Sequence, residues 1–232
     1  MSPPLGHKSN ELVRVNCAMV YDENEPMSAL THFIGFLLAL AGLILLVIFA
    51  VLEGTVWHVV GFTVFGVSCV LLYLASTIYH FLPVTANAKR IMRKVDHAMI
   101  YVLIAGTYTP ICLITLRGAW GWTLFSIIWA LAISGIVWKS VWRTHHPVVS
   151  TVLYVLMGWL VIIAFIPLRE QLSLGGFLWL LAGGLCYTVG AVVFGFDHIR
   201  WHPRWFGMHD VWHLFVIAGS FCHFWLMLWY VL

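Results

Sequence analysis

Seven long apolar runs limit this chain to one class of fold. They extend over approximately 29–52, 56–82, 96–116, 121–140, 148–168, 174–195 and 209–231. Each has about 18 or more residues and few charges, enough for an α-helix to cross the hydrocarbon core of a bilayer. A transmembrane β-barrel would need strands of about ten residues with alternating apolar and polar side chains, and this alternation is absent. The sequence therefore predicts an all-α membrane protein, a bundle of seven transmembrane helices.

The composition agrees with a membrane protein that has little else attached. Hydrophobic residues make up 62% of the 232 residues and charged residues only 9%, whereas soluble domains contain roughly a quarter charged residues. We predict a polar tail over residues 1–28 and a seven-helix domain over 29–232. Four of the five cysteines lie in apolar runs, without the paired spacing of metal sites, and we expect them to pack as small hydrophobic residues.

The distribution of Lys and Arg predicts the orientation. Ten of the twelve lie in the tail and in the loops after runs two, four and six, with Lys139 and the basic segment 89–94 taken as loop residues. Arg117 and Arg169 lie on the opposite side. Loops rich in Lys and Arg remain in the cytoplasm. We therefore expect a cytoplasmic N-terminus and tail, and a C-terminus outside.

The seventh run carries histidines on one face. His209 and His213 are four residues apart, and residues at this spacing share a face of a helix. His223 falls in the same sector but about 21 Å further along the axis, so we expect a buried hydrogen-bonding role there. Ionisable residues within a membrane are costly and face the interior of the bundle or water. This helix therefore needs polar partners from other helices.

The predicted orientation places such partners at the same depth, near the inner face. His80 lies at the end of the second run, Asp96 at the start of the third and His32 near the start of the first. One imidazole from the second run and the pair His209 and His213 would supply three nitrogen ligands, a set that suits Zn²⁺. Three protein ligands leave a fourth position for water, as in catalytic zinc sites.

Asp96 and Ser76 are the candidate catalytic residues. Bound Zn²⁺ lowers the pKa of a water molecule to about 7, and a carboxylate such as that of Asp96 could orient this water or accept its proton. Ser76 lies one turn before His80 on the same helix face and could hydrogen-bond water, substrate or a ligand. Imidazole also suits other divalent ions, and a cluster of hydrogen-bonded boundary histidines is the alternative interpretation.

Other polar residues are predicted to have simpler roles. His198 and His202 form a second pair four residues apart, but we expect a solvated pair in a loop. His145 and His146 are also predicted to lie in a loop. Asp210 is expected to cap its helix or to lie at the surface.

Several stretches together resemble one known family. They are STIYH at 76–80, DHAMIY at 96–101, AGTYTP at 105–110, HDVWH at 209–213 and CHF at 222–224. This set is similar to the haemolysin III family, the bacterial branch of the progestin and adipoQ receptor superfamily, which includes the adiponectin receptors. The resemblance covers nearly the whole chain from Glu25 onward. It departs from the family at Ser28, where Asn is usual.

The resemblance implies a seven-helix fold with a cytoplasmic N-terminus, and zinc held by His80, His209 and His213 with Asp96 beside it. The superfamily is similar to alkaline ceramidases, and ceramidase-like activity is attributed to the adiponectin receptors. We therefore expect a zinc-dependent hydrolase of a lipid amide or ester that acts in membrane lipid homeostasis, with Asp96 as base and Ser76 as a positioning group. The expected partner is membrane lipid and not nucleic acid, in the bacterial inner membrane.

Two other functions stay open at this point. A receptor-like protein or sensor of the membrane state would use zinc only to hold helices together. A pore-forming haemolysin is less favoured, because no polar stripe continues across several helices to line a water path. The oligomeric state is left open by the sequence.

Overall fold

Seven helical segments of the described residues are long and apolar enough to cross a membrane. In the computed structural model, which describes residues 26–83, 87–141, 147–196, 200–202 and 206–232, these spans are Pro26–Leu52, Val56–Phe81, Asn87–Thr115, Ala119–Val141, Val148–Gln171, Leu174–Phe194 and Met208–Val231. We refer to them as the first to the seventh span. The predicted all-α seven-helix membrane fold is confirmed. The tail up to residue 25 lies outside the described residues, and the orientation stays a prediction.

The bounds of the individual helices differ slightly from those of the spans. The α-helices are α1 (Pro26–Leu52), α2 (Val56–Phe81), α3 (Asn87–Pro110), α4 (Ala119–Val141), α5 (Pro147–Trp159), α6 (Phe165–Gln171), α7 (Leu174–Phe194) and α8 (Met208–Leu226). Two π-helical turns, Ile111–Thr115 and Met227–Val231, continue α3 and α8, and a 3₁₀ turn, Leu160–Ala164, joins α5 to α6. The third span thus continues past Pro110. Proline is tolerated in this way within membrane helices when local changes in helix type satisfy the backbone.

A short antiparallel pair of strands precedes α8. It consists of β1 (Arg200–His202) and β2 (Phe206–Gly207). The sequence predicted a loop here, because neither segment is long enough to give a strand pattern.

The bundle buries large side chains inside and exposes apolar side chains outside. Tyr73, Tyr101 and Ile128 are almost fully buried, whereas Leu38 and Ile163 are more than half exposed. Exposed apolar surface of this extent suits contact with lipid, since lipid chains are as apolar as leucine. The first helix packs against both α2 and α8, so the two ends of the membrane domain meet.

Two predicted loop assignments are wrong. The third span begins at Asn87, so the basic segment 89–94 belongs to a helix, because Lys and Arg favour helices once the chain leaves the hydrocarbon core. Lys139 lies in the last turn of α4 and is only 4% exposed. Cys69, Cys112 and Cys222 are buried free thiols, as expected for cysteines that pack as small hydrophobic residues.

Candidate metal centre

Two helices bring three imidazoles together. His80 lies in the last turn of α2, and His209 and His213 lie in the first two turns of α8. One nitrogen from each side chain lies within 4.8 Å of the nitrogens of the other two. The ring centroids are 5.1 Å apart for His80 and His209, 5.0 Å for His80 and His213, and 4.8 Å for His209 and His213. The structure thus assembles the three residues that the sequence predicted as metal ligands.

The ring of His213 is oriented for metal binding by α1. Its Nδ1 lies 3.2 Å from the carbonyl oxygen of Ser28 and 3.2 Å from Oγ1 of Thr31. A carbonyl oxygen can only accept, so Nδ1 is placed to carry the proton and Nε2 to keep its lone pair. This Nε2 is buried and has no hydrogen-bond partner among the described residues. A backbone carbonyl in this position is typical of histidines that bind metals, so these residues fit a divalent ion.

His32 completes a stack of two imidazoles. Its ring lies nearly parallel to that of His213, with centroids 3.5 Å apart, and makes a T-shaped contact with the ring of Tyr73, with centroids 5.1 Å apart. Both nitrogens of His32 are buried without a hydrogen-bond partner in the described part of the chain. The predicted convergence of His32 with the other histidines is therefore confirmed, and it takes the form of ring packing.

The two candidate catalytic residues lie beside this group. Ser76 and Asp96 are both buried. Ser76 is within hydrogen-bonding reach of the Asp96 carboxyl group, and His80 is close enough to that carboxyl group to interact with it electrostatically. The residues come from α2 and α3, so three spans contribute to the centre.

Asp210 is a buried cap and not a surface residue. Its carboxylate accepts hydrogen bonds from Oγ of Ser28 at 2.6 Å and from the backbone N–H of Gly207 at 2.7 Å. The capping role predicted for it is confirmed, whereas the surface alternative is wrong because α1 covers the start of α8. This contact places the first turn of α8, with His209, against α1.

A large cavity, which no sequence pattern predicted, adjoins the centre. Its volume is about 580 Å³, within the range of about 300–1,000 Å³ typical of small-molecule sites. One end carries polar groups, among them Asp96, Lys139 and Ser150. Most of the remaining wall is apolar, from residues such as Leu72, Ile100, Leu103, Ile104, Ile111, Val155, Ile162, Phe165, Leu168, Phe177, Leu180 and Leu181. The cavity therefore fits a molecule with one polar and one apolar end.

His223 lies away from the three histidines, about 21 Å further along the helix axis than His209. His223 is buried, as predicted, and it borders the cavity, with its ring packed on Tyr187 at a centroid distance of 5.7 Å. Its Nδ1 has no hydrogen-bond partner within the described ranges, so the expected hydrogen bond is not seen at this atom. The segment around 145–146 and residue 198 lie outside the described residues, and the backbone of His202 belongs to β1.

The fold and the centre together define a multi-pass membrane protein with a buried group of three histidines that could hold a metal ion. The model of a family described as Haemolysin-III related matches residues 20–224. The chain belongs to this family.

The relatives include bacterial and animal proteins. The chain is 47% identical to "Hemolysin-3" of Bacillus cereus over 90% of its own length and 93% of that protein. It is 44% identical to "Hemolysin-3 homolog" of Bacillus subtilis, over 90% and 94% of the two chains. It is 26% identical to the human "Monocyte to macrophage differentiation factor", over 72% and 69%.

Proposed function

We propose that this protein is a zinc-dependent membrane hydrolase that cleaves an amide or ester bond of a lipid. The observation that carries the proposal is that Asp96, which lies beside the three histidines, also borders the cavity. A lipid chain in the apolar part of the cavity would have its polar end next to Asp96. This arrangement brings together the parts that hydrolysis of a lipid requires.

The histidines would hold the ion, and Asp96 would accept and return the proton. Zinc bound by His80, His209 and His213 would supply Lewis-acid chemistry, which polarises a carbonyl group and activates water. Asp96 would accept a proton from the attacking water and return it to the leaving nitrogen or oxygen as general acid. Ser76, within hydrogen-bonding reach of Asp96, would hold the carboxyl group in position.

The cavity would bind the acyl chain and keep bulk water away. Its apolar side chains come from the second, third, fifth, sixth and seventh spans, so a substrate would be surrounded within the bundle. Exclusion of water strengthens electrostatic interactions at the reacting group. The seven apolar spans and the similarity to two Bacillus proteins support a place in a bacterial plasma membrane, where turnover of such a lipid would serve membrane lipid homeostasis.

Metal content is the first test of this proposal. We expect about one zinc ion per chain in the purified wild-type protein and little in the double variant His209→Ala/His213→Ala, measured by elemental analysis. His58→Ala is a matched control, because His58 lies at the other end of α2. A wild-type protein purified without chelators that contains no metal would contradict the proposal.

Measurements of turnover distinguish a catalytic role of the metal from a structural one. Asp96→Asn should retain zinc but lose hydrolysis of a panel of lipid amides and esters, by roughly 100-fold or more if Asp96 is the general base. Ser76→Ala should lower turnover less. A protein that contains zinc and cleaves no member of the panel would instead fit a sensor with structural zinc. Full activity of Asp96→Asn would rule out the assigned role of Asp96.

A further inference from the structure

Lys139 is a buried cation at the polar end of the cavity. It lies in the last turn of α4 and borders the cavity, although only 4% of the residue is exposed. A lysine near the end of a membrane helix normally extends toward water. Ionisable residues that turn inward within a membrane usually serve a function. The proposed mechanism does not use Lys139.

The protein satisfies only part of the hydrogen-bonding capacity of this ammonium group. Nζ of Lys139 donates to the hydroxyl oxygen of Tyr154 at 2.8 Å, and that hydroxyl donates to the carbonyl oxygen of His97 at 3.0 Å. An ammonium group has three N–H donors. Within the described ranges, the Tyr154 hydroxyl is the one hydrogen-bond acceptor of Lys139. Two donors are therefore left for a molecule in the cavity.

Ser150 adds a second unsatisfied group to the same end. It lies one turn before Tyr154 on α5, and residues four apart share a helix face. Its hydroxyl is buried, borders the cavity and has no hydrogen-bond partner among the described residues. A buried hydroxyl without a partner is costly, so a polar ligand group here would be stabilised.

The charges at this end favour an anion. Asp96 is the carboxylate that borders the cavity, and it interacts electrostatically with Lys139 without being its hydrogen-bond partner. Arg93, one turn before Asp96 on α3, is exposed and interacts with both residues. Lys139 thus offsets the charge of Asp96 at this end of the cavity, and the exposed Arg93, which does not border the cavity, adds positive charge nearby.

We propose that Lys139 and Ser150 form a subsite for a negatively charged head group, so that the substrate is a single-chain acyl lipid with an anionic head. The apolar part of the cavity takes the chain, and the polar end takes a carboxylate or a phosphate. The inference that this lipid is a substrate rests on the proposed hydrolase. The inference that the cavity binds an anionic lipid does not. It distinguishes this protein from an enzyme that acts on uncharged ceramide.

The test compares pairs of lipids that have the same acyl chain and differ in the charge of the head group. Tritium-labelled N-palmitoylglycine and uncharged N-palmitoylglycinamide are bound to the full-length protein in detergent at 4 °C, and the recovered ligand is checked for cleavage. A second pair, palmitoyl lysophosphatidic acid and monopalmitoylglycerol, tests a phosphate head. We expect the wild-type protein to prefer the anion of at least one pair by tenfold or more, and the pair that responds identifies the head group. Equal affinity within both pairs would overturn the subsite.

Variants of Lys139 then test whether this residue causes the preference for the anionic lipid. Lys139→Met should lose the preference, because a hydrogen bond to a charged group contributes about 1.5–3 kcal/mol, or roughly 10- to 100-fold in affinity, while the uncharged lipids keep their affinity. Lys139→Arg should retain it. Lys94→Met is the matched control, since Lys94 is exposed and donates to the backbone of Ser140. A preference unchanged in Lys139→Met would contradict the assignment, as would an equal loss for all four lipids.

Ser150→Ala keeps the assignment testable if Lys139→Met does not fold. It should weaken anion binding several-fold and leave the uncharged lipids unaffected; no change would remove Ser150 from the subsite. Binding at 4 °C and turnover of the lipid panel are measured separately, so the two proposals fail in different ways. An anion preference without cleavage would contradict the hydrolase alone, and cleavage without a charge preference would contradict the subsite alone.

Discussion

The imidazole ring of His32 lies flat against that of His213, with centroids 3.5 Å apart and planes inclined by 13°. The edge of the same His213 ring meets the Ser28 carbonyl oxygen and the Thr31 hydroxyl. The first helix therefore contacts both the face and the edge of this ring. The first helix thus orients His213, a candidate metal ligand, although none of the residues of this helix is one of the three histidines.

Removal of the His32 ring should weaken metal binding. We expect His32→Ala to lower zinc affinity by roughly tenfold, because groups that orient a metal ligand typically contribute 10- to 100-fold in affinity. His32→Phe keeps a flat ring and should retain most of the affinity. Titration with a competing chelator measures both variants. An equal loss in His32→Phe and His32→Ala would show that a nitrogen of His32 matters and not the packing of its ring.

Loss of the Asp210 carboxylate should destabilise the contact between the first and seventh spans. Asp210→Ala removes the hydrogen bonds from Ser28 and Gly207, and hydrogen bonds to a charged group contribute about 1.5–3 kcal/mol each. Thermal unfolding in detergent should therefore show a lower midpoint. Ser28→Ala removes one of the two bonds and should have a smaller effect. Identical midpoints for Asp210→Ala and the wild type would contradict the capping role.

The orientation can be tested with reporter fusions. Since most Lys and Arg residues lie on one side of the seven spans, we expect the N-terminus in the cytoplasm and Leu232 outside. In a bacterial host, alkaline phosphatase fused after Leu232 should be active, and green fluorescent protein at the same place should not fluoresce. A fluorescent fusion at Leu232 with inactive phosphatase would reverse the assignment.

The metal centre was largely predictable because helical spacing and span direction are readable from the sequence. Four residues separate His209 from His213, so they share a face whatever the helix packs against. Alternating span directions placed His80 and Asp96 at the same depth. Lys139 was misassigned because a charged residue near the end of an apolar run looks like part of a loop. The direction of its side chain depends on Tyr154, which belongs to another span.

The sequence alone determined the seven spans, because the length and apolarity of each run are local properties that a bilayer requires of any helix. It also determined which helix faces carry histidines. Only the tertiary structure decided which groups meet across helices: the stacking of His32 on His213, the burial of Asp210, and the cavity that Lys139 and Ser150 border. These depend on how helices far apart in the chain pack against one another, and helix packing is set by many side-chain contacts together.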